Sequence, residues 1–378
     1  MVACICRVLV KGVIAFSDTS GQLKWKRSYL TVSVFSAGGG AMTRIKLRRG
    51  WAQVLLAIVL TACASGGGTL ESAAASERGT VQASVRGDGP FAVGTTTETF
   101  VDTGRPTPSN GTYAGSPVRT IHTLILYPTK GAPGPLDHPN GTPLGGRFPL
   151  VVFAHGNSSD GPDNEPLIRQ WAAAGFVVAA PTFPLSSLGA PGGDDVGDYI
   201  HQPGDVSFVI SQILHRSSKS SVPYRQIVDP HEIGVVGHSL GAITVLGAVY
   251  NSCCRDPRIK AAVSIDGIEL PYPQGQYFGK KSEPLLVVHG TADQTIPYAA
   301  SQKIYADARP PKFFVTLIGA PHTSFHQAND LQSPSGPWEP VIVASVTDFF
   351  DHYLKGQPRW LEHLRDHAAV PGVSTLAY

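Results

Sequence analysis

Ser239 lies in the stretch Gly237-His238-Ser239-Leu240-Gly241, and Asp266, Asp293 and His322 follow it in the chain. A serine hydroxyl is a poor nucleophile at neutral pH. It attacks a carbonyl only when a base within hydrogen-bond reach takes its proton and a carboxylate orients that base. Serine, acid and histidine in this chain order suit acyl chemistry on a serine carried by a strand–turn–helix elbow. The flanks predict such an elbow. Ile233, Val235 and Val236 read as a buried strand, and Ala242 to Tyr250 can carry a helix. Side chains at positions 237 and 241 would collide with that strand and helix, and both positions are glycine. The helix start would offer free N–H groups and a positive dipole end to a developing oxyanion.

The base is read from "LIGAPHTSFH". Val315, Leu317 and Ile318 belong to a strand, so His322 stands at its carboxyl end, with His326 as runner-up. His155 precedes Ser239, the wrong order for a base, and is expected to support its loop. Two acids compete. Asp293 follows a strong strand in "LLVVHGTADQTIPY", and Asp266 ends the preceding strand in "AVSIDGIELPYP". Asp293 is preferred because its H-G-x-x-D loop matches the common position of the acid. Asp266 stays open as the alternative, or as a turn cap. The oxyanion donors are expected to be the backbone N–H groups of Leu240 and of Asn157, the latter in "HGNSSDG".

Elements must place these residues at one edge. Strand runs at "TIHTLILYPT", "FPLVVFAHG", "FVVAAPTF", "IGVVGHS", "KAAVSIDG", "PLLVVHG" and "KFFVTLIG" alternate with helical patterns at 165–175, 203–216 and 340–354, besides the helix after Ser239. Nearly continuous apolar strands are those covered on both faces. The pattern predicts an α/β fold with a mostly parallel central sheet and helices on both faces. Segments 184–202 and 323–338, rich in Gly, Pro, Ser and Asp, read as long loops at the carboxyl ends of strands, where such folds build their sites.

The chain has 378 residues, a formal charge of +2 and 42% hydrophobic residues. That is ordinary globular composition, and without a basic stripe it gives no reason to expect a nucleic-acid partner. The segment from Met42 is distinct. Arg44, Lys46, Arg48 and Arg49 precede the short apolar stretch Trp51–Leu60, the pattern of a secretory signal. "LTAC", ending at Cys63, resembles a bacterial lipobox, which implies cleavage before Cys63 and a lipid anchor there. The expected organisation is a mis-assigned leader at 1–41, a signal peptide at 42–62, a flexible Gly/Ala/Ser tether at 63–86 and one catalytic domain at 87–378. Of the five cysteines, only Cys253 and Cys254 fall in that domain. They are adjacent, which leaves a vicinal disulfide or two packed thiols open and excludes metal-site spacing.

Together, "GPFAVGTTTETFVDTGR", "LILYP", "FPLVVFAHGN", "QPGDVSFVI", "GHSLGA", "DPRIKAAVSIDG" and "VVHGTADQTIPY" resemble the α/β-hydrolase superfamily over essentially the whole body. Within it, the chain is similar to bacterial esterases related to platelet-activating factor acetylhydrolase, chlorophyllase and the polyester hydrolases. The resemblance implies the α/β-hydrolase fold and a cofactor-independent, metal-free serine hydrolase of small-molecule or lipid esters. It leaves both acids in play. Acetylhydrolases use the aspartate that matches Asp266, and polyester hydrolases use the one that matches Asp293. The alternatives to hydrolysis are acyl transfer on the same residues and a catalytically silent binding lipoprotein on this fold.

Overall fold

The computed structural model describes residues 89–219, 221–279, 282–328 and 336–378, and two short strands nearer the N-terminus. Those strands, β1 (Leu30–Val34) and β2 (Thr43–Leu47), pair antiparallel in a unit of their own. Arg44 and Lys46 lie in β2. Most of the signal segment, Cys63 and the 63–86 tether lie outside the described residues.

In the body, strongly apolar runs become strands, and helices form between most of them, from the amphipathic Trp338–Lys355 to the wholly buried Leu240–Tyr250. The order is β3 (Ala92–Asp102), β4 (Arg119–Thr129), β5 (His138–Pro139), β6 (Phe148–Ala154), α1 (Glu165–Ala173), β7 (Val177–Thr182) and α2 (Gln202–Ser217). Then come β8 (Val228–His238), α3 (Leu240–Tyr250), β9 (Ala261–Ile265), β10 (Leu285–Gly290), α4 (Tyr298–Asp307), β11 (Lys312–Leu317), α5 (Trp338–Lys355), α6 (Trp360–Ala368) and β12 (Ser374–Ala377). They form one ten-stranded sheet in the order β12-β11-β10-β9-β8-β6-β7-β4-β3-β5. From β7 through β11 every pairing is parallel, while β4 and β12 join antiparallel at the flanks.

The core divides by strand periodicity. Successive side chains on a strand point to opposite faces, so Leu150 and Val152 join one apolar cluster with Val209 of α2 and Leu246 of α3. Val151 and Phe153 join the other, with Trp171 of α1 and Phe350 of α5. Both faces of the central strands are therefore dry, which is why those strands read as unbroken apolar runs.

Several elements escaped the sequence reading, among them the two-residue β5 at the sheet edge. β3 carries half-buried Thr95 and Thr96 and exposed Thr97 and Thr99 near the sheet edge, a weak strand signal. α4 has only Ser301 and Ile304 buried, so it lacks an apolar stripe. α6 and β12 lie beyond 340–354, the last helix read from the sequence. Segment 184–202 also carries a short 3₁₀ turn, Val196–Ile200, and is not a plain loop. Residues 329–335 of the second expected loop are outside the described residues.

A buried charge cluster ties β4 to the start of α2. Arg119 donates to Asp205 at 2.6–2.9 Å and to Asp198 at 2.7 Å, with all three side chains at most 1% exposed. Arg105 adds a contact to Asp205 at 2.9 Å. Removing one partner strands the others in a dry site. Arg119→Ala is expected to cost roughly 3–5 kcal/mol in a urea denaturation experiment, because Asp198 is then left buried and unpaired.

Candidate active site

The elbow forms where β8 stops and α3 starts. Ser239 has φ +55° and ψ −118°, a left-handed value that strains a non-glycine residue and persists only when its surroundings enforce it. The surroundings are tight. A Cβ on Gly237 would fall 2.1 Å from the carbonyl oxygen of Gly241, and a Cβ on Gly241 would fall 1.9 Å from that of Ala154. Both glycines are therefore steric requirements of the turn. The Ser239 amide is used by the carbonyl of Ile265 at 3.0 Å, and the first intrahelical bonds to the Ser239 carbonyl come from Ala242 and Ile243. The amide of Leu240 heads α3, ahead of those bonds, among the N–H groups that a helix start leaves without intrahelical partners.

His322 comes to this elbow from the segment after β11. Its Nε2 lies 2.9 Å from Ser239 Oγ, and its Nδ1 donates to Asp293 Oδ2 at 2.7 Å. Asp293 Oδ1 accepts from the amides of Thr295 and Ile296 at 2.7 and 2.9 Å. Burial pushes the Asp293 carboxyl up. Its bonds to His322 and these two amides outweigh that effect and hold it below the ordinary carboxylate value. An ionised Asp293 fixes the proton on Nδ1 and leaves the Nε2 lone pair facing the serine hydroxyl. That arrangement can pass a proton from Oγ to the imidazole as the oxygen attacks.

Asp266 is placed differently. It is fully buried at the end of β9, with φ +51°. Its Oδ1 accepts from the Gly290 amide at 3.0 Å, and Oδ2 has no hydrogen-bond partner among the described residues. Burial pushes its carboxyl well above the ordinary value, and the nearby charge of Asp293 pushes the same way. His326 turns away to Glu339, at 2.6 Å. His155 spans its own loop, with Nδ1 at 2.7 Å from the Gly156 carbonyl oxygen and Nε2 accepting from the Phe183 amide at 2.9 Å. Burial pushes it down to about 4, so it is neutral.

Asn157 follows β6 as expected, on a loop pressed against the elbow. A Cβ on neighbouring Gly156 would fall 3.2 Å from Ser239 Cβ. The Asn157 side chain donates to Ser158 and to Asp194.

Two buried histidines were missed in the sequence. His238 Nε2 donates to the His322 carbonyl oxygen at 2.9 Å, which pins the backbone of the base. Burial pushes His238 down to about 3, so it holds that bond as a neutral ring. His289 Nε2 faces the carbonyl oxygen of Ile296 at 3.0 Å and Asp293 Oδ2 at 3.2 Å, and its Nδ1 meets Ser301 Oγ at 2.7 Å. Both stand inside the G-x-S-x-G and H-G-x-x-D stretches, but a single sequence gives no sign of which way their rings point. Cys253 and Cys254, left open above, are joined to each other in the turn after α3.

These imidazoles and carboxylates also fall into two groups with metal-like proximity, His238–Asp266–His322 and Asp266–His289–Asp293. The hydrogen bonds already described occupy most of their ligand atoms. The one free carboxylate oxygen, on Asp266, belongs to the carboxyl that burial favours in its neutral form, which is a poor cation ligand.

A family model described as platelet-activating factor acetylhydrolase, isoform II, matches residues 214–332, less than half of the chain but inclusive of Ser239, Asp266, Asp293 and His322. Curated relatives include the uncharacterized protein YfhR of Salmonella typhi, 30% identical over 138 residues that make up 29% of this chain and 47% of that one. The YfhR protein of Escherichia coli O157:H7 is 24% identical over 200 residues, 48% of this chain and 65% of that one. The chain thus spans between about half and two thirds of the length of these relatives. Among solved structures, a ferulic acid esterase from Streptomyces cinnamoneus superposes with a TM-score of 0.58 at 19% identity, over 76% of this chain and 97% of that one. With a parallel sheet covered on both faces, a glycine-bounded elbow at the end of β8 and this superposition, the chain is an α/β-hydrolase in fold.

Proposed function

We propose that the chain is a serine hydrolase of carboxylic esters. The observation that carries this reading is the continuous hydrogen-bond chain Ser239–His322–Asp293 beside the start of α3. Ser239 Oγ attacks the ester carbonyl while His322 takes its proton. The amides of Leu240 and Asn157 receive the oxyanion, and the same proton then leaves with the alcohol. Water, deprotonated by His322, releases the acyl group from Ser239. The acetylhydrolase family match and the ferulic acid esterase likeness support an ester as the substrate class. Leu240, Ile243 and Tyr272 form a small apolar cluster, with Tyr199 and Ile268 packed on it. It supports an ester with an apolar portion lying beyond Leu240. The basic–apolar–LTAC pattern supports export and a membrane anchor at Cys63.

A fluorophosphonate probe tests the reading on the folded chain. Stoichiometric attachment to the peptide that carries Ser239, seen by mass spectrometry and blocked by prior denaturation, is the expected result. A folded protein that is not labelled at Ser239 overturns the reading in favour of a silent binding protein.

A further inference from the structure

The loop that carries Asn157 is held by an exposed carboxylate. Asp194 Oδ2 accepts from both Asn157 Nδ2 and Ser158 Oγ, each at 2.5 Å. Most exposed aspartates are held only by water, but here one oxygen joins two adjacent residues of the loop. The Ser158 hydroxyl, and then the Asn157 amide, hold the Asp194 carboxyl below its ordinary value, so it is an ionised acceptor at neutral pH. Ser158 has φ +58°, a conformation that an L-residue takes at a cost and keeps only when tied down. Its amide is tied as well, to the Ser186 carbonyl oxygen at 2.9 Å.

Asp194 is in turn presented from a third segment. Asn110, between β3 and β4, donates from Nδ2 to the Pro191 carbonyl oxygen at 3.0 Å and to that of Gly193. Gly192, between them at φ +83°, approaches so closely that a Cβ would fall 1.9 Å from the Asn110 carbonyl oxygen. The antiparallel β3–β4 end of the molecule is thereby tied, through Asn110, the 191–194 segment and Asp194, to the side chains of Asn157 and Ser158 in the loop beside the elbow. Oxyanion stabilisation depends on donors held in place before the reaction, and small displacements of such a donor are costly.

We propose that Asp194 is a positioning residue that holds the Asn157 amide over Ser239, with Asn110 as its support. This rests on the serine-ester reading above. The full chain and its Asp194→Ala, Asp194→Asn and Asn110→Ala variants, with Ser239→Ala as reference, would be assayed on a p-nitrophenyl ester. Affinity for an alkyl boronic acid, which forms a tetrahedral adduct on the serine, would be measured alongside. Asp194→Ala is expected to lower kcat about tenfold, below the full loss of an oxyanion donor, with KM changed less than about twofold. Boronic acid affinity should fall by the same factor, because the adduct reports oxyanion binding. Asp194→Asn, whose amide oxygen still accepts, should recover most of the loss, and Asn110→Ala should show a smaller loss of the same pattern. An unchanged kcat in Asp194→Ala overturns the proposal. So does a raised KM at unchanged kcat, which would make Asp194 a substrate contact. Full turnover by Ser239→Ala would instead overturn the serine-ester reading itself.

Discussion

Ser239→Ala and His322→Ala are each expected to lower kcat for ester hydrolysis by roughly 10⁵–10⁶-fold, with little change in KM, and the double variant is expected to be hardly worse than either. The reason lies in the 2.9 Å contact between Ser239 Oγ and His322 Nε2. Without the hydroxyl no acyl-enzyme forms. Without the imidazole the hydroxyl keeps its proton and the leaving alcohol finds no acid. The two side chains act as one device, so their losses do not add. Residual rate should come from oxyanion donors that attack by water can still use. Steady-state turnover of a p-nitrophenyl ester by the three purified variants, each checked for folding by circular dichroism, measures this. A double variant slower than the parent by the product of the two losses would mean that serine and histidine act independently. That result is incompatible with the proton transfer proposed here.

The elbow was legible because its chemistry is written in local constraints. Gly237 and Gly241 stand where backbone oxygens leave about 2 Å for a Cβ, and the G-x-S-x-G spacing reports that pair even though the oxygen facing Gly241 comes from β6. The central strands were equally legible, because burial on both faces leaves nearly continuous apolar runs in β6, in β8 from Ile233 to Val236 and in β10 from Leu285 to Val288. What stayed hidden depends on the direction of side chains. β9 and β10 are parallel neighbours, so Asp266 and Asp293 arrive at the same edge with equal claims in sequence. The difference is made by the amides of Thr295 and Ile296, which hold one oxygen of Asp293 and leave the other for His322. His238 and His289 look like ordinary members of their stretches until β8 and β10 place them against His322 and Asp293. Asp194 gave no signal at all. Its partners lie 36 and 37 residues away, joined through a loop whose path is set by Asn110.

Asp293→Asn is expected to lower kcat about 10⁴-fold, whereas Asp266→Asn should leave it within about tenfold of the parent. An asparagine at 293 offers either a neutral oxygen, which no longer stabilises the imidazolium, or an N–H₂ group, which drives the His322 proton onto Nε2. In that tautomer no lone pair faces Ser239, and losses near 10⁴ follow in sites of this type. Asp266 stands in a different environment. Burial favours its neutral carboxylic acid, and an amide of nearly the same shape can replace that acid while its oxygen still accepts from Gly290. The pH dependence of stability separates the two residues as well. The folded-state value of Asp266 is raised, so the stability it contributes is complete below the ordinary carboxylate range and is lost as pH rises through the raised value. Relative to the parent, Asp266→Asn should therefore gain stability in urea melts as pH rises above the ordinary carboxylate range. Asp293, held below its ordinary value, behaves oppositely. Its contribution is present above the ordinary range and is lost on acidification through the lowered value, so Asp293→Asn should flatten the acid side of the stability curve. A large kcat loss in Asp266→Asn with near-parent turnover in Asp293→Asn would move the acid to the end of β9. It would also require His322 to turn its Nδ1 away from the 2.7 Å contact that Asp293 now makes.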